Sequence, residues 1–162
     1  MTVNDNDTPG VIAPPPLIAA ATVVLGLMLD WLAPVHALTQ MLTFWPRVTI
    51  GTILALAGGV LAVAAERRFK EVGTNVPPWK PSLNLATGGI YTRLRNPMYV
   101  GLMLLVAGIG IGLASDWTLL LLVPTAIILH YGVVLREERY LEKKFGEDYR
   151  RYKAKVPRWG LW

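Results

Sequence analysis

Four apolar stretches, each near the length of a bilayer crossing, dominate this chain: Leu17 to Ala33, Pro46 to Ala65, Pro97 to Ala114 and Trp117 to Leu135. A helix needs about 20 apolar residues to cross the hydrocarbon core. In lipid the backbone must also satisfy its own hydrogen bonds, so runs of this length predict membrane helices. Charged residues make up 17% of the chain against 53% hydrophobic, and they gather between and after the apolar runs. A soluble helix carries a polar stripe, whereas a lipid-facing one needs none. The expected fold is an all-α integral membrane protein with about four transmembrane helices, a single domain over residues 1–162. Within it, 1–16 form a polar tail, 17–65 a helical hairpin and 66–162 the functional part. The opening residues carry Asp5 and Asp7 and no basic stretch, so the first apolar run reads as a retained span rather than a cleaved leader. With no cysteine in the chain, disulfide and thiolate chemistry is excluded.

The basic residues orient the bundle. Arg67, Arg68, Lys70, Lys80, Arg93 and Arg95 lie between the second and third runs, nine more follow the fourth, and only Arg47 falls on the other side. Positive loops stay cytoplasmic, so both termini and the central loop are expected there, in a plasma membrane of bacterial type. The net charge of +5 thus points to a membrane surface and not to nucleic acid. Trp31, Trp45 and Trp117 fall at the opposite boundary, as an interfacial aromatic belt. Gly51, Ala55, Gly58 and Ala62 recur along the second run and Gly101, Gly108 and Gly112 along the third. Close helix packing accounts for both stripes better than a pocket wall does. Only Ser115 and Asp116 separate the last two runs, which predicts a tight antiparallel hairpin.

Two segments carry candidate chemistry. The central loop, residues 66–95, is too rich in Pro, Gly and Asn for a regular element and leads into Arg95-Asn96-Pro97-Met98-Tyr99. Pro97 suits a first helical turn and Asn96 its N-cap. That reads as a basic-anchored helix start, or as an anion site made by helix N-terminal donors between Tyr91 and Tyr99. After the fourth run comes Arg136-Glu137-Glu138, opening a helical tail to Tyr152 that Gly146 interrupts. Such acids read either as members of an interfacial charge lattice, like Glu147 with Arg151, or as ligands for a cationic or hydroxyl-bearing group. His130 lies two α-helical turns before Glu137, an intramembrane histidine that marks either a site or an interhelical hydrogen bond. No phosphate-binding loop, zinc spacing or nucleophile elbow is present.

Taken together, these segments resemble the membrane-embedded isoprenylcysteine carboxyl methyltransferases and the related enzymes that methylate phospholipid amines and small thiols. The matching text is Gly73-Thr74, Gly89-x-Tyr91, Arg95-Asn96-Pro97-Met98-Tyr99-x-Gly101, Glu137-Glu138, Phe145-Gly146-Glu147-Asp148-Tyr149, Tyr152 and Val156-Pro157. It covers about half of the chain in the family's order. The resemblance implies a methyltransferase using S-adenosyl-L-methionine, with a cytoplasmic cofactor pocket formed by the central loop and the helical tail. The cofactor contacts it implies are Leu83, Asn84, Leu85 and Ala86 from the loop, then Tyr91, Arg95, Asn96, Pro97, Met98 and Tyr99, and Glu137 from the tail. Glu137, Arg136 and Glu138 are the catalytic candidates, with Arg136 steering an anionic acceptor or anchoring to lipid phosphate. No metal site is implied. Asn96 stands where the family usually has histidine, keeping a donor but losing a titratable group. The implied acceptor is a lipophilic small molecule or lipid-linked substrate dissolved among membrane lipids. A nicotinamide-dependent reductase resembling the sterol reductases, and a non-enzymatic membrane scaffold, are the competing readings.

Overall fold

A computed structural model describes residues 7–160, and among these all the regular structure is helical. The long elements are α1 (Pro15–Leu32), α3 (Phe44–Glu71), α4 (Pro97–Leu113) and α5 (Asp116–Leu129). A short α2 (Ala37–Met41) bridges α1 and α3, and a 3-10 turn (Gly89–Thr92) precedes α4. From α5 the chain runs through a π turn (His130–Val134) straight into α6 (Leu135–Phe145), then breaks before α7 (Glu147–Lys155). Three helical stretches are long and apolar enough to cross a membrane, Pro15–Leu32, Phe44–Glu71 and Asp116–Phe145, while α4, with 17 residues, is shorter. This is a membrane protein. Its apolar side chains point outward: Val24, Met28, Leu56, Val60, Leu120 and Val123 are all exposed.

Hydrophobic burial cannot drive helices together in lipid, so close backbone contact must. The glycine stripes meet across α3 and α4. A Cβ on Gly58 would fall 2.4 Å from the Gly101 carbonyl oxygen, and one on Gly51 2.6 Å from that of Gly108. Packing is therefore the role of these stripes. Helices α1 and α5 are joined by a buried 2.6 Å hydrogen bond between the Thr22 and Thr125 hydroxyls and by Gly26 lying against Thr118.

The α4–α5 hairpin is as tight as expected. Ala114 takes a left-handed conformation (φ 58), and Ser115 N–H reaches back to Gly110 O at 2.8 Å, closing α4 in the manner of a Schellman cap. Ser115 then caps α5, its Oγ accepting from Thr118 N–H, as an N-cap serine should. The same corner gathers polar groups from three helices. Ser115 Oγ donates to the Asp30 carboxylate, Trp117 Nε1 donates to Ala33 O at 2.7 Å, and Leu38 N–H donates to Asp116 Oδ1 at 3.0 Å. Trp31 and Trp45, both exposed, lie at this end of α1 and α3.

Two boundaries and one charge pairing differ from those expected. Helix α3 continues to Glu71, so Arg67, Arg68 and Lys70 ride on its last turns and not in the central loop. The residues from Ala64 to Lys70 are mostly good helix formers, and after the helix ends at Glu71 the chain turns away at Gly73, whose φ is 68. The fourth run does not stop at Leu135; the tail helix continues it. Glu147 pairs with Arg150 (3.4 Å) and not with Arg151, which instead joins Asp148 at 2.7 Å. The tail does break at Gly146, with φ 55.

Candidate functional site

At the end of the bundle opposite the tryptophans, the central loop, the start of α4, α6 and α7 enclose a cavity of about 90 Å³. Residues 72–88 have no regular structure, so side chains must satisfy their backbone. Buried Thr74 accepts from Leu83 N–H (2.9 Å) and Asn84 N–H (3.3 Å). Asn84 Nδ2 donates to Val72 O, and Asn75 Nδ2 to Pro81 O. The loop is tied to α6 where Ser82 N–H donates to the Tyr140 hydroxyl at 2.9 Å. These bonds hold Asn75 to Pro78, and Asn84 to Ala86, along the cavity wall.

The floor is aromatic. Tyr91 stacks on Phe69 of α3, ring centroids 5.2 Å apart. Tyr152 of α7 donates its hydroxyl to Tyr91 O at 2.8 Å, and Tyr149 completes the buried cluster. Burial raises the phenols of all three: Tyr149 is pushed up to about 12, and Tyr91 and Tyr152 are also held well above the ordinary tyrosine value. At neutral pH each is an uncharged donor.

The charged wall divides into two parts. Glu138 is buried between two guanidinium groups. Arg158 meets it with two bonds of 2.8 Å, and Arg95 Nη1 lies 2.9 Å from its Oε1. This clamp, together with Arg95 N–H to Pro157 O (3.0 Å) and Asn96 Nδ2 to Arg158 O (3.1 Å), docks the C-terminal segment on the start of α4. Glu137, the neighbouring residue, has no cation within salt-bridge distance among the described residues; it accepts the Tyr99 hydroxyl at 2.5 Å and faces the cavity. Arg95 also lines the cavity, and its Nε is buried without a hydrogen-bond partner.

The expected contacts therefore separate. Asn84, Leu85, Ala86, Tyr91, Arg95, Asn96, Pro97, Met98, Tyr99, Glu137 and Glu138 all border the one cavity. Leu83 does not: its backbone is held by Thr74 and its side chain is exposed. Arg136 points the other way and donates to Gly10 O at 2.8 Å. Asn96 stands at the N-cap position but its side chain makes no cap bond, because Arg158 O takes its amide. His130 also faces elsewhere, packed against Trp159 and Tyr131. A π turn holds one more residue than an α turn, so the turn at His130–Val134 rotates it off the Glu137 face. Phe69, Arg158 and Pro9 belong to the site region without having been singled out in the sequence. Tyr149, Tyr152 and Thr74 were legible only as members of a shared pattern.

The cavity at this end of the helical membrane bundle is thus walled by a carboxylate with no cation partner among the described residues, a guanidinium with an unpartnered donor, and aromatic rings. Residues 46–148 match the phospholipid methyltransferase family, and the chain belongs to that family of methyltransferases. An uncharacterized protein of Haemophilus influenzae is 39% identical over 62 residues, which cover 38% of this chain and 98% of that protein. No solved structure matches the chain significantly.

Proposed function

We propose that the protein is an S-adenosyl-L-methionine-dependent methyltransferase acting on a lipophilic acceptor dissolved in a bacterial plasma membrane. In this reading α4 serves as a fourth crossing, and both termini and the cavity face the cytoplasm. The observation that carries the proposal is the Glu137–Tyr99 pair on the wall of the cavity, beside the unpartnered donor of Arg95. When bound, this cofactor supplies an electrophilic methyl on a sulfonium that also bears a carboxylate, an ammonium and an adenine. The residues present fit those groups. Arg95 Nε and the N–H groups of Met98 and Tyr99, which helix geometry leaves without intrahelical partners, suit a carboxylate. Glu137, oriented by the Tyr99 hydroxyl, suits an ammonium or a ribose hydroxyl. Tyr91, Tyr149 and Tyr152 supply faces for adenine or for the cation. In methyl transfer the chain's task is to position the acceptor and exclude water, and the tied loop over the cavity serves both ends.

Isothermal calorimetry on the detergent-solubilised protein with S-adenosylhomocysteine tests the reading. Binding is expected, and Glu137→Gln should weaken it about tenfold or more, the scale of a hydrogen bond to a charged group, with unfolding little changed. A folded protein that ignores this ligand but is stabilised by a reduced nicotinamide dinucleotide would sink the proposal.

A further inference from the structure

Outside the cavity, α6 carries a second concave surface that the methyltransferase reading leaves unused. One wall is α6, with Arg136, Arg139, Tyr140, Lys143 and Lys144; the other is the N-terminal segment at Asp7, Thr8 and Pro9. Four cations therefore face one groove. The N-terminal segment engages two of them: Arg136 donates to Gly10 O, and Lys144 pairs with Asp7. The Lys144 ammonium that bonds Asp7 holds its carboxyl below the usual carboxylate range. Arg139 gives only its Nε to Leu135 O on its own helix. Neither Arg139 nor Lys143 has an acid within 4 Å among the described residues.

The position of the groove on the helix identifies its occupant. Leu120, Val123, Ile127 and Tyr131 form one exposed stripe along α5 and the π turn, at spacings of three and four. Past the π turn (His130–Val134) the next exposed residues are Arg136, Arg139 and Lys143, with Tyr140 half-buried among them. The exposed surface of this helix thus passes from apolar to basic across the π turn. A surface of that kind has its apolar part in hydrocarbon and its cations at the level of the headgroups.

We infer that this groove binds the phosphate of a lipid headgroup with net negative charge, with Arg139 and Lys143, which have no acid partner among the described residues, as its principal cations and Arg136 and Lys144 flanking it. The groove adjoins the Glu137 cavity, with Pro9 and Tyr140 as shared walls, and its occupancy does not depend on the reaction catalysed there. Each cation near a charged headgroup contributes about fivefold in affinity.

The test uses the full-length protein in nonionic detergent, titrated with phosphatidylglycerol, phosphatidylcholine or inorganic phosphate, with bound species counted by native mass spectrometry. Phosphatidylglycerol should bind at least about fivefold more tightly than phosphatidylcholine. The double variant Arg139→Gln/Lys143→Gln should weaken it roughly 25-fold, with lipid-free thermal unfolding unchanged. If that variant fails to fold, Lys143→Gln alone should show about a fivefold loss. Equal binding of the two lipids, or an undiminished preference in the variants, overturns the inference. Inorganic phosphate binding as tightly as phosphatidylglycerol also overturns it, since a lipid source then fails.

Discussion

The two ends of this bundle are both polar, and they arrange that polarity differently. At the tryptophan end, Asp30 accepts from Ser115 and Trp117, Asp116 accepts from Leu38 N–H, and Trp117 donates to Ala33 O. Groups from α1, α5 and the α2 connection bond to one another, while Asp116 Oδ2 and Arg47 Nε stay buried without a hydrogen-bond partner. At the other end the polar groups outnumber their internal partners. Glu138 is fully committed to Arg95 and Arg158, but Glu137 faces open space and Arg95 keeps an unpartnered buried donor. Unsatisfied buried polar groups are costly and occur at both ends, but Arg95 and Glu137 border a cavity, which marks that end as the place where a ligand completes the structure. The comparison predicts that damage at the tryptophan end costs stability alone, whereas damage at the cavity end reaches ligand binding.

Alkaline pH should produce the largest difference. Tyr91, Tyr149 and Tyr152 have phenols raised by burial, and Tyr149 is further raised by the nearby Glu138 charge, to about 12. An unfolded tyrosine ionises near 10. The stabilisation from keeping these phenols protonated in the folded state is complete below that pH. It is lost as the pH rises from about 10 through the folded values, at about 1.4 kcal/mol per pH unit for each tyrosine. Tyrosinate absorbance, followed together with calorimetric binding of S-adenosylhomocysteine between pH 9 and 12, should show the cavity end opening as the buried phenols ionise. Three phenols titrating near 10 with binding intact would erase the proposed difference between the ends.

Glu138→Ala should come next. It removes the one carboxylate between Arg95 and Arg158 and leaves the buried Arg95 cation without a counterion. Breaking a buried pair in this way costs roughly 3–5 kcal/mol. Because the same clamp seats the C-terminal segment, trypsin should cut after Lys153 or Lys155 faster than in the parent protein, and ligand affinity should fall as well. Unaltered proteolysis and melting would show that the clamp is not what docks the tail.

The helices were legible because lipid imposes a strong rule: a long apolar run must be helical. The glycine stripes could also be read as packing, since small residues at spacings of three, four and seven leave few other uses. The convergence of loop, α4 start and tail came from pattern resemblance and not from local physics. Nothing in the sequence shows that Glu138 is sandwiched by Arg158, twenty residues away, while Glu137 stays free. Adjacent acids look alike until the helix rotation is known, and the π turn at His130–Val134 sets that rotation. It also separates His130 from Glu137, which an unbroken α-helix would have placed on one face. Leu83 was misplaced for a related reason: in an irregular loop, side-chain direction follows hydrogen bonds such as those to Thr74, which spacing does not encode.

The smallest effect should come from Asp30→Ala, and it sharpens the comparison most. Asp30 accepts from the Ser115 hydroxyl and, at 3.4 Å, from Trp117 N–H; alanine would leave both donors without that acceptor at a corner where Ser115 is almost fully buried. The loss should be about 1–3 kcal/mol, seen as a lower melting temperature in detergent. The bilayer end that carries Asp30 is separated from Glu137 by the length of α5 and the π turn, so affinity for S-adenosylhomocysteine should stay within about twofold of the parent, the range expected for independent sites. A parallel loss of stability and affinity would mean that the glycine contacts of α3 and α4 transmit strain along the bundle. The tryptophan end would then be a second support of the cavity and not a self-contained cap.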